Sequence, residues 1–365
     1  MHRDPLVHTD RHFSPFGVHW GLLVHTDRQS DNLTDPVMKI KYFLLVAVSL
    51  FCLTANAQKI VVAYVGAGSD VMPDYSLMTH IDYAFGHVND TYDGIRISRP
   101  ERLQAIVAGK GSVKVCLSVG GWGSGRFSEM AWTEAGRKAF AADCARVIRE
   151  YNLDGIDLDW EYPGSSAAGI SSAPQDTKNF TLLMQEIRAA IGPDKLLTLA
   201  SAANARHIDF KAILPLIDFV NVMSYDMGRP PRHNAALFRG KVAGMTADGA
   251  VKRHLEAGVP KDKIVMGMPF YGHGNRNEYP DYVDWKDQQL PLEGLHEEWD
   301  DEAKVPYYAD AEGRMVLGFD NPRSITEKCN YILEQDLLGG MYWEYTCDNE
   351  ALELSRTVAG CLLGR

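Results

Sequence analysis

The sequence predicts an α/β fold, a closed (β/α)8 or TIM barrel, because short apolar runs alternate with amphipathic stretches along most of the chain. Eight such runs follow Lys59, and each has the length and composition of a buried parallel strand. They are residues Ile60–Val65, His80–Phe85, Val113–Val119, Gly155–Glu161, Leu196–Ala200, Phe219–Tyr225, Ile264–Phe270 and Gly340–Tyr345. An open, doubly wound sheet has the same alternation and is the second architecture that the pattern allows.

The stretches between these runs have the periodicity of helices that cover a barrel. From about Asp176 to Ile191, and again from about Thr133 to Tyr151, apolar residues recur at helical spacing and form one face. The segment from Gly274 to Asp320 interrupts the alternation. We expect it to be a short insertion between strand seven and helix seven, with a hairpin turn at Asp310–Gly313.

The N-terminal part of the chain has the pattern of a secretory signal peptide. Two lysines after Met38 precede the apolar run Tyr42–Leu53, and the small-x-small site Ala55–Ala57 follows. The run is shorter than the ~20 residues that span a bilayer. We therefore expect a signal peptide at 38–57, a non-native upstream extension at 1–37, and export to the periplasm or the extracellular space.

Composition narrows the function of the remaining domain, residues 58–365. A formal net charge of −11 disfavours nucleic acid, whose phosphates require clustered Lys and Arg. A neutral substrate fits this charge better. None of the six cysteines has the spacing of a zinc site, and we expect neither a metal nor an organic cofactor. We expect a monomer.

Three acidic residues on one predicted strand carry the chemistry. Side chains alternate along a strand, so Asp157, Asp159 and Glu161 share one face and the apolar residues between them share the other. The apolar face packs under the helices, which turns the carboxyl groups into the barrel. Uncompensated burial of a carboxylate costs several kcal/mol, so stability alone does not explain three in a row. A solvated edge strand is disfavoured because parallel strands are covered on both faces.

Position along the strand distinguishes the three carboxyl groups. Active sites of barrels lie at the C-terminal ends of the strands, so Glu161 is expected at the mouth. Asp159 lies ~6.6 Å of strand rise deeper, and Asp157 is deeper still. Such a stack cannot ionise completely in a low-dielectric interior, which raises the pKa of Glu161 and favours it as a general acid.

The segment Asp154–Glu161, followed by Tyr162-Pro163, resembles the signature strand of the family 18 glycoside hydrolases, the chitinase family. Other segments are similar to strands three, six, seven and eight of that family and occur in the same order: Leu117–Trp122, Val222–Asp226, Ile264–Gly272 and Gly340–Trp343. The similarity extends roughly from Lys59 to Asn349.

The resemblance implies a retaining reaction in which the 2-acetamido carbonyl of the substrate attacks the anomeric carbon and forms an oxazolinium ion. Glu161 would protonate the leaving oxygen and then activate water. Asp159 would orient the acetamido group and stabilise the cation, and Tyr225 would donate to the acetamido carbonyl.

The resemblance also implies supporting roles around these three residues. Asp157, hydrogen-bonded by Tyr64 and Ser118, would share a proton with Asp159. The remaining substrate contacts would come from Asp226 on the same sugar, Trp343 beneath it, Trp122 across the scissile bond, and Met223 and Phe85 lining the site.

Some positions depart from the family pattern. The residues after Tyr64, Val65–Gly68, offer no aromatic ring, and Met227–Pro230 lacks the tryptophan that often lines the leaving-group side. His273 stands in place of the usual arginine, and the insertion is short, which predicts a shallow cleft.

The expected partner is an N-acetylglucosamine oligosaccharide or polysaccharide, cleaved at β-1,4 linkages as in chitin. Two alternatives remain: an endo-β-N-acetylglucosaminidase acting on the chitobiose core of N-glycans, and an inactive lectin-like protein. The presence of Glu161 argues against the second alternative, since such proteins typically lack the acid.

Overall fold

The computed structural model describes residues 58–242, 244–277, 279–288 and 294–365. The predicted upstream extension and signal peptide lie outside this part of the chain. Within it, no helix has both the length and the apolar character needed to cross a bilayer.

The described residues form fourteen strands and eight α-helices. The strands are β1 (Ile60–Gly66), β2 (His80–Val88), β3 (Ile95–Ile97), β4 (Lys114–Gly120), β5 (Gly155–Asp159), β6 (Leu196–Ala202), β7 (Val220–Met223), β8 (Ile264–Pro269), β9 (Tyr271–Gly274), β10 (Val283–Asp284), β11 (His296–Asp300), β12 (Val305–Ala309), β13 (Met315–Gly318) and β14 (Gly339–Trp343). The helices are Pro100–Gly109, Phe127–Trp132, Glu134–Tyr151, Asp176–Ile191, Phe210–Ile213, Ala247–Glu256, Pro322–Glu334 and Glu353–Leu363.

Eight parallel strands close into a barrel, which confirms the predicted fold and excludes the open sheet. The order is β1, β2, β4, β5, β6, β7, β8 and β14, and β1 pairs with both β2 and β14. β5 and β7 are shorter than predicted, because the chain leaves the ladder after Asp159 and after Met223. Glu161 and Tyr225 therefore lie just past the strand ends, at the rim of the barrel.

The barrel has two separate apolar layers, and together they orient the acidic strand. Ile156, Leu158 and Trp160 belong to the outer layer between strands and helices. The Trp160 ring stacks on Phe127 with centroids 5.3 Å apart. The inner layer, inside the barrel, includes Val62, Tyr64, Phe219, Tyr225, Val265 and Met341. Burial of the apolar face of β5 against helices leaves its carboxyl groups facing the interior, as the alternation predicts.

Two glycines at the end of β4 allow the backbone to approach the acidic strand. Gly120 has φ of +136°, and a Cβ there would lie 1.9 Å from the carbonyl oxygen of Asp159. Gly121 has φ of +93°, and its Cβ would lie 2.5 Å from the ring of Phe85. Only glycine fits both the left-handed conformation and the close contact.

The insertion after β8 is a five-stranded antiparallel sheet in the order β10, β9, β13, β12, β11. The predicted hairpin is confirmed, with its turn closed by a hydrogen bond from the Gly313 amide to the Asp310 carbonyl, 2.9 Å long. Besides these strands, the described part of the insertion contains the short 3-10 helix Trp285–Asp287. β9 pairs on both sides, with β10 and with β13, which joins the hairpin to the rest of the insertion sheet.

Candidate active site

The three carboxyl groups of the acidic strand lie in a line from the barrel interior to its mouth. The exposed fraction rises from 0% at Asp157 to 4% at Asp159 and 8% at Glu161. The line therefore ends where a ligand can approach, as the position of Glu161 in the sequence predicts.

Asp157 is a buried carboxyl group with four hydrogen-bond donors. Its Oδ2 accepts from Tyr64 Oη at 2.9 Å and from Ser118 Oγ at 2.8 Å, the two predicted contacts. Its Oδ1 accepts from Thr198 Oγ1 at 2.7 Å and from Asn221 Nδ2 at 3.4 Å. Burial raises the pKa of Asp157, and the four hydrogen bonds oppose that rise because they favour the charged form.

A fourth carboxyl group, Asp82 on β2, was missed by the sequence analysis. It is 1% exposed, and its Oδ2 accepts from Asn221 Nδ2 at 3.0 Å. Its Oδ1 has no hydrogen-bond partner among the described residues. Burial, followed by the charge of Asp157, raises its pKa well above the usual range. A lone acidic residue within the apolar run of β2 was the available signal.

Of the three carboxyl groups on this strand, Asp159 is the least well hydrogen-bonded. Its Oδ1 is buried and has no hydrogen-bond partner in the part of the chain that the structure describes. Burial raises its pKa well above the ordinary value, and the charges of Glu161 and Asp157 add to this effect. Asp159 is therefore a neutral acid when its neighbours are ionised.

Glu161 has the pKa of a general acid that works near neutral pH. Burial raises its pKa to about 7, and the charge of Asp226 acts in the same direction, while a hydrogen bond with Tyr162 opposes it. A glutamate tuned in this way can both donate and accept a proton near pH 7.

Tyr225 lies beside this line of acids, and its hydroxyl group is poorly engaged. The side chain is 8% exposed, and the contact recorded for Oη is a long one of 3.9 Å to Met341 Sδ. Met223, also predicted to line the site, is half-buried against the inner apolar layer. The Tyr225 hydroxyl is thus a buried donor with no strong acceptor among the described residues.

Asp226 is held by residues that the sequence analysis did not connect to it. Its Oδ1 accepts from Tyr271 Oη at 2.7 Å and lies 2.6 Å from His273 Nε2. Its backbone has φ of +56°, and its amide donates to Asn234 Oδ1 at 2.9 Å. The Asp226 side chain is 54% exposed, so it remains accessible from the cleft. The loop residue Asn234 carried no signal in the sequence.

Aromatic rings line the mouth. Trp343 is half-buried, and its ring stacks on Phe85 with centroids 5.4 Å apart and planes inclined by 20°. It also contacts Tyr64, with centroids 5.6 Å apart. Trp122 is 64% exposed, and its ring meets that of Tyr162 edge-on with centroids 6.4 Å apart. Trp343 is fixed as a surface beside the acids, whereas Trp122 has a free face toward solvent.

The cleft widens on either side of Phe85. One recess of about 350 Å³ is bounded by Trp343, Tyr282, Glu344 and the glycines after β1. The other, of about 480 Å³, runs along Trp122 and the loop from Gly120 to Arg126. Each volume is in the range of small-ligand sites, so the mouth offers room for more than one sugar ring.

An acid of raised pKa among buried carboxyl groups, at the mouth of a (β/α)8 barrel, is the arrangement that the general acid of a glycoside hydrolase requires. Residues 59–348 match the family model described as Glycosyl hydrolases family 18, and the chain belongs to that family.

Its relatives include proteins named as chitinases and one named as an N-acetylglucosaminidase. Chitinase A1 of Niallia circulans is 33% identical over 323 residues, which are 75% of this chain but only 46% of that protein. Chitinase B of Serratia marcescens is 28% identical over 370 residues, covering 74% of this chain and 73% of that protein. A solved family 18 N-acetylglucosaminidase from Paenibacillus barengoltzii superposes with a TM-score of 0.75 at 34% identity, covering 83% of this chain and 100% of that one.

The raised pKa of Glu161 leads to a test that requires no substrate. Infrared spectra of protein with 13C-labelled glutamate, compared with Glu161→Gln at each pH, isolate its carboxyl band. We expect the protonated band to disappear as pH rises through about 7, because burial disfavours the charged form. As the control, Glu134 is exposed and hydrogen-bonded to Lys138, which lowers its pKa, so its band should disappear at lower pH. Titration of Glu161 near the ordinary value of about 4.3 would contradict the assignment.

Proposed function

We propose that the protein hydrolyses β-1,4-linked N-acetylglucosamine in chitin or chitooligosaccharides, with retention of configuration and with the substrate's acetamido group as the nucleophile. The observation that supports this best is a pair of buried groups: the acceptor Asp159 Oδ1, which has no partner among the described residues, and the donor Tyr225 Oη, which makes a long contact of 3.9 Å to Met341 Sδ. Buried polar atoms normally have partners. A 2-acetamido group supplies one N–H and one C=O, which complement this acceptor and this donor.

In the first step, Glu161 gives its proton to the glycosidic oxygen while the bond from that oxygen to C1 breaks. The acetamido carbonyl oxygen bonds to C1 from the opposite face and forms the oxazolinium ion. Tyr225 donates to this oxygen and directs it toward C1. In the second step, the Glu161 carboxylate takes a proton from water, which attacks C1 and opens the ring. Two inversions at C1 give the β-anomer.

Asp159 supports the charge that forms on the substrate. Its free oxygen accepts the acetamido N–H, and an ionised Asp159 stabilises the positively charged ring. In the resting site the shared proton lies on Asp159, because Asp157 has four donors and Asp159 has none for Oδ1. As positive charge develops, the proton moves toward Asp157 and leaves Asp159 ionised.

The remaining predicted residues bind the sugar. Trp343 offers a ring face beneath it, Trp122 offers one across the scissile bond, and Asp226 accepts from its hydroxyl groups. Two of the relatives are named chitinases and a third is named an N-acetylglucosaminidase, which supports a substrate of this class. Export by a signal peptide and a monomeric state remain predictions from the sequence.

The proposal is tested by comparing hydrolysis of chitotetraose, cellotetraose and a high-mannose glycopeptide. We expect cleavage of chitotetraose and none of cellotetraose, which has a hydroxyl group in place of each acetamido group. In Glu161→Gln, turnover should be abolished while chitotetraose still binds, since the amide keeps the size of the side chain but cannot donate the proton. Faster cleavage of the glycopeptide would indicate the N-glycan alternative. Binding without hydrolysis by the unmodified chain would indicate the lectin alternative.

The two groups assigned to the acetamido arm should each be worth about 10²–10³ in kcat, the usual effect of removing one group that stabilises transition-state charge. The changes are Asp159→Asn and Tyr225→Phe, assayed on chitotetraose. A matched control is the pair Tyr331→Phe and Asp248→Asn, which hydrogen-bond to each other at 3.1 Å on two outer helices. Both controls should keep near-normal kcat. If either site variant did the same, the role assigned to that residue would be wrong.

A further inference from the structure

Two cysteines lie side by side on the helices that flank β14 in the chain. Cys329 belongs to the helix Pro322–Glu334 and is fully buried. Cys361 belongs to the helix Glu353–Leu363 and is half-buried against the same apolar layer. The Cys329 thiol donates a hydrogen bond to the Cys361 sulfur, so the two side chains are in direct contact.

The packing of the two helices keeps these sulfur atoms together. Ile332 lies one turn after Cys329 on the same helix face, and Leu362 follows Cys361 directly. Both apolar side chains reach Gly340 on β14, where a Cβ would lie 3.1 Å from Ile332 Cδ1 and 3.1 Å from Leu362 Cδ1. The sulfur contact is therefore made between two helices that rest on the same strand, and not within a loop.

The other three cysteines of the described chain have different surroundings. Cys116 and Cys144 are buried in separate elements, on β4 and on an outer helix. Cys347 contacts oxygen atoms of a tyrosine and an aspartate. Among the described residues, Cys329 and Cys361 are thus the two cysteines that are hydrogen-bonded to each other.

The two thiols differ in access to solvent and in acidity. The hydrogen bond from Cys329 lowers the pKa of Cys361 to about 6, while burial opposes this change and a hydrogen bond with Thr326 adds to it. The same contact, together with burial, raises the pKa of Cys329 well above its ordinary value. Near neutral pH, Cys361 is a partly accessible thiolate and Cys329 is a buried thiol next to it.

We propose that Cys329 and Cys361 are a redox pair that forms a disulfide when the chain meets a disulfide-carrying oxidant outside the cytosol. The Cys361 thiolate attacks one sulfur of the external disulfide and expels the other as a thiolate, which leaves a mixed disulfide on Cys361. Cys329 then attacks the Cys361 sulfur and passes its proton to the second departing thiolate. The protein is oxidised by two electrons, and the external disulfide is reduced to two thiols.

The bond would close a loop of the chain that contains β14 and Trp343. β14 pairs with β1 and so closes the barrel, and the helix Glu353–Leu363 follows it at the end of the chain. A terminal helix that is covalently tied to its neighbour cannot fray away from this seam, and the crosslink also restricts the unfolded chain. We expect the oxidised protein to be the more stable form.

Mass mapping tests the crosslink directly. The purified protein is equilibrated with glutathione disulfide or with reduced glutathione, alkylated in denaturant and digested. Trypsin cleaves after Lys328 and Arg356, which separates Cys361 from the peptide that holds Cys329 and Cys347. We expect the disulfide treatment to join these two peptides, and to do so equally in Cys347→Ser. Full alkylation of both peptides after that treatment, or loss of the link in Cys347→Ser, would overturn the proposal.

Two single variants test the order of the reaction. Cys329→Ser lacks the second thiol, so glutathione disulfide should leave one glutathione attached to Cys361. Cys361→Ser lacks the attacking thiolate, and its buried Cys329 should take up none. The reverse pattern would contradict the roles assigned to the two sulfur atoms.

Thermal unfolding supplies a readout that does not depend on labelling. The oxidised form of the unmodified chain should unfold at a Tm about 5–10 °C above that of the reduced form, the shift expected for a crosslink that closes a loop of this length. In Cys361→Ser, the two treatments should give the same Tm. Equal Tm values for the crosslinked and reduced forms of the unmodified chain would rule out the stabilising role.

Discussion

The four hydrogen bonds that Asp157 accepts in the barrel interior are the interaction on which the rest of the site depends. The donors are Tyr64, Ser118, Thr198 and Asn221, and they come from β1, β4, β6 and β7. Only closure of the barrel brings these strands around one carboxyl group. A buried carboxylate without such donors would be too costly to ionise. Closure of the barrel therefore supplies the hydrogen bonds that allow Asp157 to be ionised.

The hydrogen bonds to Asp157 at the bottom of the site influence which of the carboxyl groups above it are protonated. Asp157 is the carboxyl group best able to hold negative charge, and its charge raises the pKa values of Asp82 and Asp159. Farther out, burial raises the pKa of Glu161 to about 7. The proton is thus retained at the mouth, where the proposed reaction needs a donor, and the unmatched Asp159 oxygen lies directly below.

The sequence predicted the barrel and the direction of the acidic face because both follow from local periodicity. Alternation shows that a side chain faces the interior, but not which strands surround it, so Thr198 and Asn221 were missed as partners of Asp157. Asp82 did carry a signal, as a lone acid in an apolar strand. The predicted hairpin is local and was found, whereas the pairing of β9 with β13 is long-range and was not predicted. Likewise, His273 was noticed as a departure, but its contact with Asp226 depends on two loops meeting in space.

The configuration of the first product tests whether buried groups turn the substrate's own acetamido arm into the nucleophile. Asp159 and Asp226 are the carboxylates that would have to activate water if hydrolysis were a direct displacement, which inverts C1. Asp159 lies beneath the mouth on the strand of Glu161, beside the expected acetamido arm rather than along a path for water. Proton NMR of chitotetraose during the first turnovers distinguishes the two reactions before mutarotation. We expect the β-anomer to appear first, and initial release of the α-anomer would rule out the acetamido group as the nucleophile.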